Sequence, residues 1–156
     1  MEKKRASKRF TIIITVLTAA MILFAWIHSF FPADMSSTES GGVLSVVSAV
    51  LGVVGIGEEL TDHIIRKAAH FTEFFAIGAL LLSCAYCFDR FRPYRYLVYV
   101  LSAGLFTAVV DETIQLGSEG RSGMITDVWI DLAGVVCGAA LMLGVYALYK
   151  KAGKIK

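Results

Sequence analysis

Arg66–Phe88 reads RKAAHFTEFFAIGALLLSCAYCF. Arg66, Lys67, His70 and Glu73 crowd its start, and 74–88 carries no charged side chain. A helix needs roughly 20 residues to cross the hydrocarbon core. The stretch therefore predicts a transmembrane helix over 66–88 with a polar head at one membrane face. Three more stretches fit that description. Residues 10–31 hold no Lys, Arg, Asp or Glu, although they include His28. Residues 94–116 are charge-free over 96–110 and then meet Asp111, Glu112 and Gln115. Residues 127–149 open on Asp127 and Asp131 and are charge-free from 132. Hydrophobic residues make up 56% of the 156 and charged ones 18%, and the charges are clustered; a soluble domain carries about 25% charged residues. Lipid cannot satisfy exposed backbone groups, so each span must be helical. The expected fold is an all-α, polytopic bundle of four transmembrane helices.

Orientation follows from Lys and Arg in short loops. Lys3, Lys4, Arg5, Lys8 and Arg9 lie in the tail 1–9, Arg90, Arg92 and Arg95 between the second and third spans, and Lys150, Lys151, Lys154 and Lys156 in the tail 150–156. An N-in, C-in bundle puts all three groups in the cytoplasm. Asp34, Glu39, Glu58, Glu59 and Asp62 then fall outside, in the long first loop, and 117–125 forms a short outer loop. Arg66, Lys67 and Arg121 defy the bias, and all three adjoin the acidic cluster. They read as site residues more than as topology signals. The first span resembles a signal peptide in its basic start. Its apolar run exceeds the usual core of about 7–15 residues and no A-x-A site follows, so an uncleaved helix is expected.

Residues three and four apart share a helix face. His63, Arg66, Lys67, His70, Glu73 and Ile77 make one such stripe; Ala108, Asp111, Glu112 and Gln115 make a second; Asp127, Asp131, Gly134 and Gly138 make a third. Polar residues at membrane depth are functional-site candidates, and the simplest packing turns the three stripes towards one another at the outer side. Arg66, Lys67 and Arg121 could hold an anion, since arginine forks suit phosphate and carboxylate. Gln115, Asp127 and Asp131 join them as ligand-binding candidates. His70, Glu73, Asp111 and Glu112 would carry acid–base chemistry if the chain is an enzyme. The competing reading is a clasp, with Glu73 paired to Arg121 or Arg66 to Asp127, holding helices that hydrophobicity alone cannot hold. Asp111, Glu112, Asp127 and Asp131 could bind a hard divalent cation through oxygen ligands, and adding His70 would suit zinc or manganese better. No tight ligand spacing such as H-E-x-x-H is present, so neither a metal nor a cofactor is expected.

Residues 42–57 are apolar but short for a span, and are expected in the outer interface or re-entering the bundle. Trp26 and Trp129 fall near outer boundaries, where aromatic side chains anchor. Cys84 and Cys87 form C-x-x-C inside a span and read as packing residues. Gly134 and Gly138 form G-x-x-x-G, a close-packing face read first as a contact within the bundle and second as a homo-oligomer face.

Three stretches carry a resemblance: RKAAHFTEF at 66–74, DETIQ at 111–115 and RSGMITDVWIDLAG at 121–134. In order and spacing they resemble the VanZ-like family of small bacterial membrane proteins, although Asn often stands there in place of Asp131. The resemblance implies a link to teicoplanin resistance and no settled biochemical mechanism. Two functions stay open. The first is an envelope factor whose outer pocket binds a membrane lipid, a lipid-linked cell-wall precursor or a lipoglycopeptide. The second is an intramembrane hydrolase or group transferase acting on an envelope lipid or polymer. A nucleic-acid partner is not expected, and four helices without an inverted repeat make a transporter less attractive.

Overall fold

In a computed structural model, residues 5–30, 58–118 and 123–153 are described, the side chains of 58–63 and 65 excepted. The 42–57 segment and Arg121 lie outside the described residues. Four helices run antiparallel in chain order: α1 (Lys8–Ser29), α2 (Glu58–Phe88), α3 (Leu97–Gln115) and α4 (Ile125–Lys151). A 3-10 turn at Pro93–Tyr96 leads into α3. All four are long and apolar enough to cross a membrane, and no strand occurs among the described residues.

Local chemistry explains the ends. Ser7 caps α1 by accepting from the Phe10 amide at 3.3 Å, satisfying a donor the first turn leaves open. Asp89 closes α2 by accepting from the amides of Phe91 (3.1 Å) and Arg92 (3.3 Å), and the chain reverses there. Proline at the start of the 3-10 turn lacks the amide that a helix start would leave unpaired. α2 begins at Glu58, well before the apolar span at Arg66. Nothing in 58–66 is Gly or Pro, so the helical ladder continues past the apolar boundary. Hydroxyls inside the spans bond back one turn: Thr18 to Ile14 O (2.7 Å), Ser83 to Ala79 O (2.7 Å) and Thr107 to Ala103 O (2.9 Å). Such bonds satisfy groups that lipid cannot.

The apolar core has two layers. Ala25, Phe74, Ile77, Ala108 and Val135 fill one half; Leu82, Ala85, Val100 and Ala139 fill the other. Small residues bring α2 and α4 into backbone contact. A Cβ on Gly134 would lie 2.6 Å from Phe71 O, one on Gly138 would strike Phe75 O, and one on Gly78 would strike the Val135 backbone. The G-x-x-x-G face is therefore a contact within the bundle. Ile12, Val16, Phe24, Val98, Phe106 and Leu148 point outward, which is a lipid-facing surface on a spanning bundle.

Cys84, Cys87 and Cys137 are free thiols; Cys87 is buried, and Cys84 Sγ meets Thr18 Oγ1 at 3.3 Å. Cys84 and Cys87 pack within the bundle, and Cys137 is exposed.

Candidate functional site

The antiparallel order places Ser29, the start of the α2 span, the end of α3 and the start of α4 at one end of the bundle. Lys8, Arg9, Arg90, Arg92, Arg95, Lys150 and Lys151 lie at the other end. Among the described side chains, the membrane-side parts of the three polar stripes face one another, while Arg66 is exposed. Asp111 is 0% and Asp131 1% exposed, and Glu112 and Gln115 are buried beside them. His70 and Glu73 are mostly buried too. His70, Asp111 and Asp131 sit between one and two turns inside the ends of their spans.

Asp111 is the hub. Its Oδ1 accepts from Ser29 Oγ at 2.7 Å, and its Oδ2 accepts from Gln115 Nε2 at 2.9 Å. His70 Nδ1 stands 3.8 Å from Oδ2. One carboxylate thus joins α1, α2 and α3. Asp131 approaches from α4, and one donor atom from each of His70, Asp111 and Asp131 lies within 4.8 Å of the others. Among the described residues, neither Asp131 oxygen has a hydrogen-bond partner.

A second tier surrounds that centre. His28 Nδ1 lies 3.4 Å from Glu73 Oε1, and Lys67 Nζ donates to Asp127 Oδ1 at 2.8 Å. Glu112 Oε2 accepts from the Met124 amide at 2.9 Å, tying the end of α3 to the chain entering α4. Gly123 lies so close that a Cβ there would meet Glu112 O at 2.7 Å, which accounts for glycine in that loop. Ser118 Oγ donates to Ser29 O at 2.9 Å and pins the end of α1 to the loop after α3.

Not every candidate takes the expected place. Asp127 pairs with Lys67 and not with Arg66, whose side chain is exposed. Glu73 meets His28, a partner the sequence reading did not assign. Ser29 was missed as well. His28 left a visible signal, as the one titratable side chain in an otherwise apolar run; Ser29 left none, because a serine near a helix end is commonplace. Trp26, expected as an interfacial anchor, donates its indole N–H to Thr107 O at 3.2 Å and links α1 to α3.

Chemically, this end combines a buried carboxylate–imidazole centre with a part-exposed Lys67–Asp127 pair and the exposed Arg66 at its rim. The arrangement presents charge of both signs at its rim and can hold a proton or a cation within. A family model described as VanZ/LLP1 matches residues 10–148. No curated protein and no solved structure matches significantly.

Proposed function

Because the chain belongs to the VanZ/LLP1 family, we propose that this membrane protein acts in the bacterial envelope. Its polar end binds the headgroup of an outer-leaflet lipid or lipid-linked cell-wall precursor, and in doing so it contributes low-level tolerance to teicoplanin. The observation that carries the reading is the meeting of four helices there: Ser29 at the end of α1, with His70, Asp111 and Asp131 one to two turns inside their spans. Residues serving only as interface anchors would sit at the rim and point to solvent. Arg66 and the Lys67–Asp127 pair supply a mixed-charge rim suited to a headgroup that carries phosphate.

The test is susceptibility of a Gram-positive host expressing the chain. Wild type is expected to raise teicoplanin tolerance and leave vancomycin tolerance unchanged. Asp111→Asn and Glu73→Gln are expected to abolish the rise at matched membrane levels. Variants that still protect would sink the site assignment, and an inactive wild type would remove the drug from the proposal.

The reading also requires the polar end to face outward. The opposite end gathers the basic residues, which favours a cytoplasmic position for it. The check is thiol labelling in intact cells, with the native cysteines replaced by serine. A membrane-impermeant maleimide is expected to label Leu116→Cys, at the polar end, and to spare Tyr94→Cys at the basic end; both positions are exposed. The opposite pattern would place the site in the cytoplasm.

One observation favours an enzyme as the second reading. The His70–Asp111 approach resembles a base beside the carboxylate that orients it. A hydrolase or group transferase would lose turnover in His70→Gln while still binding its substrate.

A further inference from the structure

We propose that His70, Asp111 and Asp131 form a binding site for one divalent ion of the zinc or manganese type. Of the cation ligands the sequence offers, the structure selects these three, and they come from α2, α3 and α4. No ligand spacing along the chain can reveal a site assembled that way.

Asp131 points to the ion most directly. It is 1% exposed, its donor oxygen lies within 4.8 Å of donors on His70 and Asp111, and among the described residues both its oxygens lack a hydrogen-bond partner. Buried polar groups are ordinarily satisfied, and buried charges are paired or bound to metal. The one described lysine at this end, Lys67, is already engaged by Asp127. Among the described residues, Asp111, Glu112, Asp127 and Glu73 all place negative charge near Asp131, and no lysine or arginine pairs with it.

Asp111 supplies the pre-set ligand. Ser29 and Gln115 each donate one hydrogen bond to it and fix its plane. Each of its oxygens keeps a further lone pair for an ion. Outer partners that orient a ligand in this way are usual at metal sites. Two carboxylates and a neutral imidazole around a doubly charged ion sum to zero, the cheapest total charge at membrane depth. Donors about 2.1 Å from zinc in a tetrahedron stand about 3.4 Å apart. The donors here, within 4.8 Å of one another, need to draw in by at most about 1.4 Å, within the reach of side-chain rotation.

The donor set selects the ion. Imidazole with carboxylates suits zinc and manganese. Calcium takes about 6–8 oxygen ligands and magnesium demands near-octahedral oxygen. Three protein ligands leave a coordination position open, as in catalytic rather than structural zinc sites. If the headgroup reading holds, that open position would take a phosphate oxygen. The ion itself does not depend on that reading.

The experiment is metal titration of the full chain, purified in detergent and stripped with chelator. The probes are zinc, manganese and magnesium chlorides, with elemental analysis after desalting and no lipid or drug present. Wild type is expected to retain about one zinc or manganese per chain and to ignore magnesium. Asp131→Asn and His70→Gln are each expected to weaken binding at least tenfold. Cys84→Ser/Cys87→Ser is expected to bind as wild type does, because the thiols take no part. Cobalt substitution should give a ligand-field spectrum without a thiolate charge-transfer band. The site is overturned if wild type retains no zinc or manganese. It is equally overturned if Asp131→Asn binds normally, or if the serine double variant is the one that loses metal. Should one ligand variant fail to fold, the other decides. Metal retention and drug tolerance are separate readouts, so loss of one proposal leaves the other standing.

Discussion

Gly138→Leu is expected to abolish the folded bundle, while Gly144→Leu leaves it intact. A Cβ at 138 would strike Phe75 O and come within 2.9 Å of Ala79 N, both backbone atoms of α2. Backbone cannot rotate away as a side chain can. The helices must part, and the contacts at Gly134 and Gly78 part with them. Overpacking a core costs typically about 1–3 kcal/mol, and a clash against backbone along two helical turns belongs at or beyond the upper end. In lipid the loss is not offset by hydrophobic association, because tight packing is itself what holds helices together. Gly144 has nothing within 4 Å, so leucine there adds lipid-facing surface only. Thermal melting of the two variants in the same detergent is the measurement. A Gly138→Leu protein melting within a few degrees of wild type would mean that α2 and α4 do not touch as described. The effect reaches the polar end as well. His70 and Asp131 lie on these two helices, just beyond the glycine contact, so separating the helices would separate the ligands.

The parts of this molecule legible in the sequence share a physical basis. The spans could be read because lipid imposes length and composition on a helix, and all four were found. The stripes on α3 and α4 could be read because spacing of three and four defines a face. Asp111, Glu112 and Gln115 are buried together, as are Asp131, Gly134 and Gly138. Pairing between helices was harder. Arg66 and Lys67 are adjacent, but one residue turns a helix by about 100 degrees. The lysine, and not the arginine, meets Asp127. The start of α2 was also missed, since hydropathy reports the span and says nothing of where hydrogen bonding ends. α1 was the least legible contributor. Its 22 residues look like a plain anchor, yet Ser29 and His28 complete the polar end.

Asp131→Leu is expected to make the metal-free protein more stable than wild type. Most substitutions of fully buried residues destabilise, so the sign is the point. Asp131 is buried among carboxylates, with no hydrogen bond to either oxygen among the described residues. Leaving a buried polar group unsatisfied costs about 1–3 kcal/mol, more when it is charged. Leucine is close enough in size to occupy the site, carries no unsatisfied atom and lifts the repulsion with Asp111. Replacing buried charge by apolar groups of similar volume is often neutral or stabilising, by about 1–4 kcal/mol. For a chain of this size each kcal/mol moves the melting temperature by about 2–4 °C, so a rise of several degrees is expected in chelator. Zinc should reverse the order: wild type gains stability by binding a ligand that the unfolded chain cannot organise, and Asp131→Leu gains none. Crossing melting curves, with and without zinc, would mark Asp131 as a residue kept at a cost to stability. A variant less stable than wild type in chelator would mean that the carboxylate is already satisfied, and that the centre needs no ion to balance it.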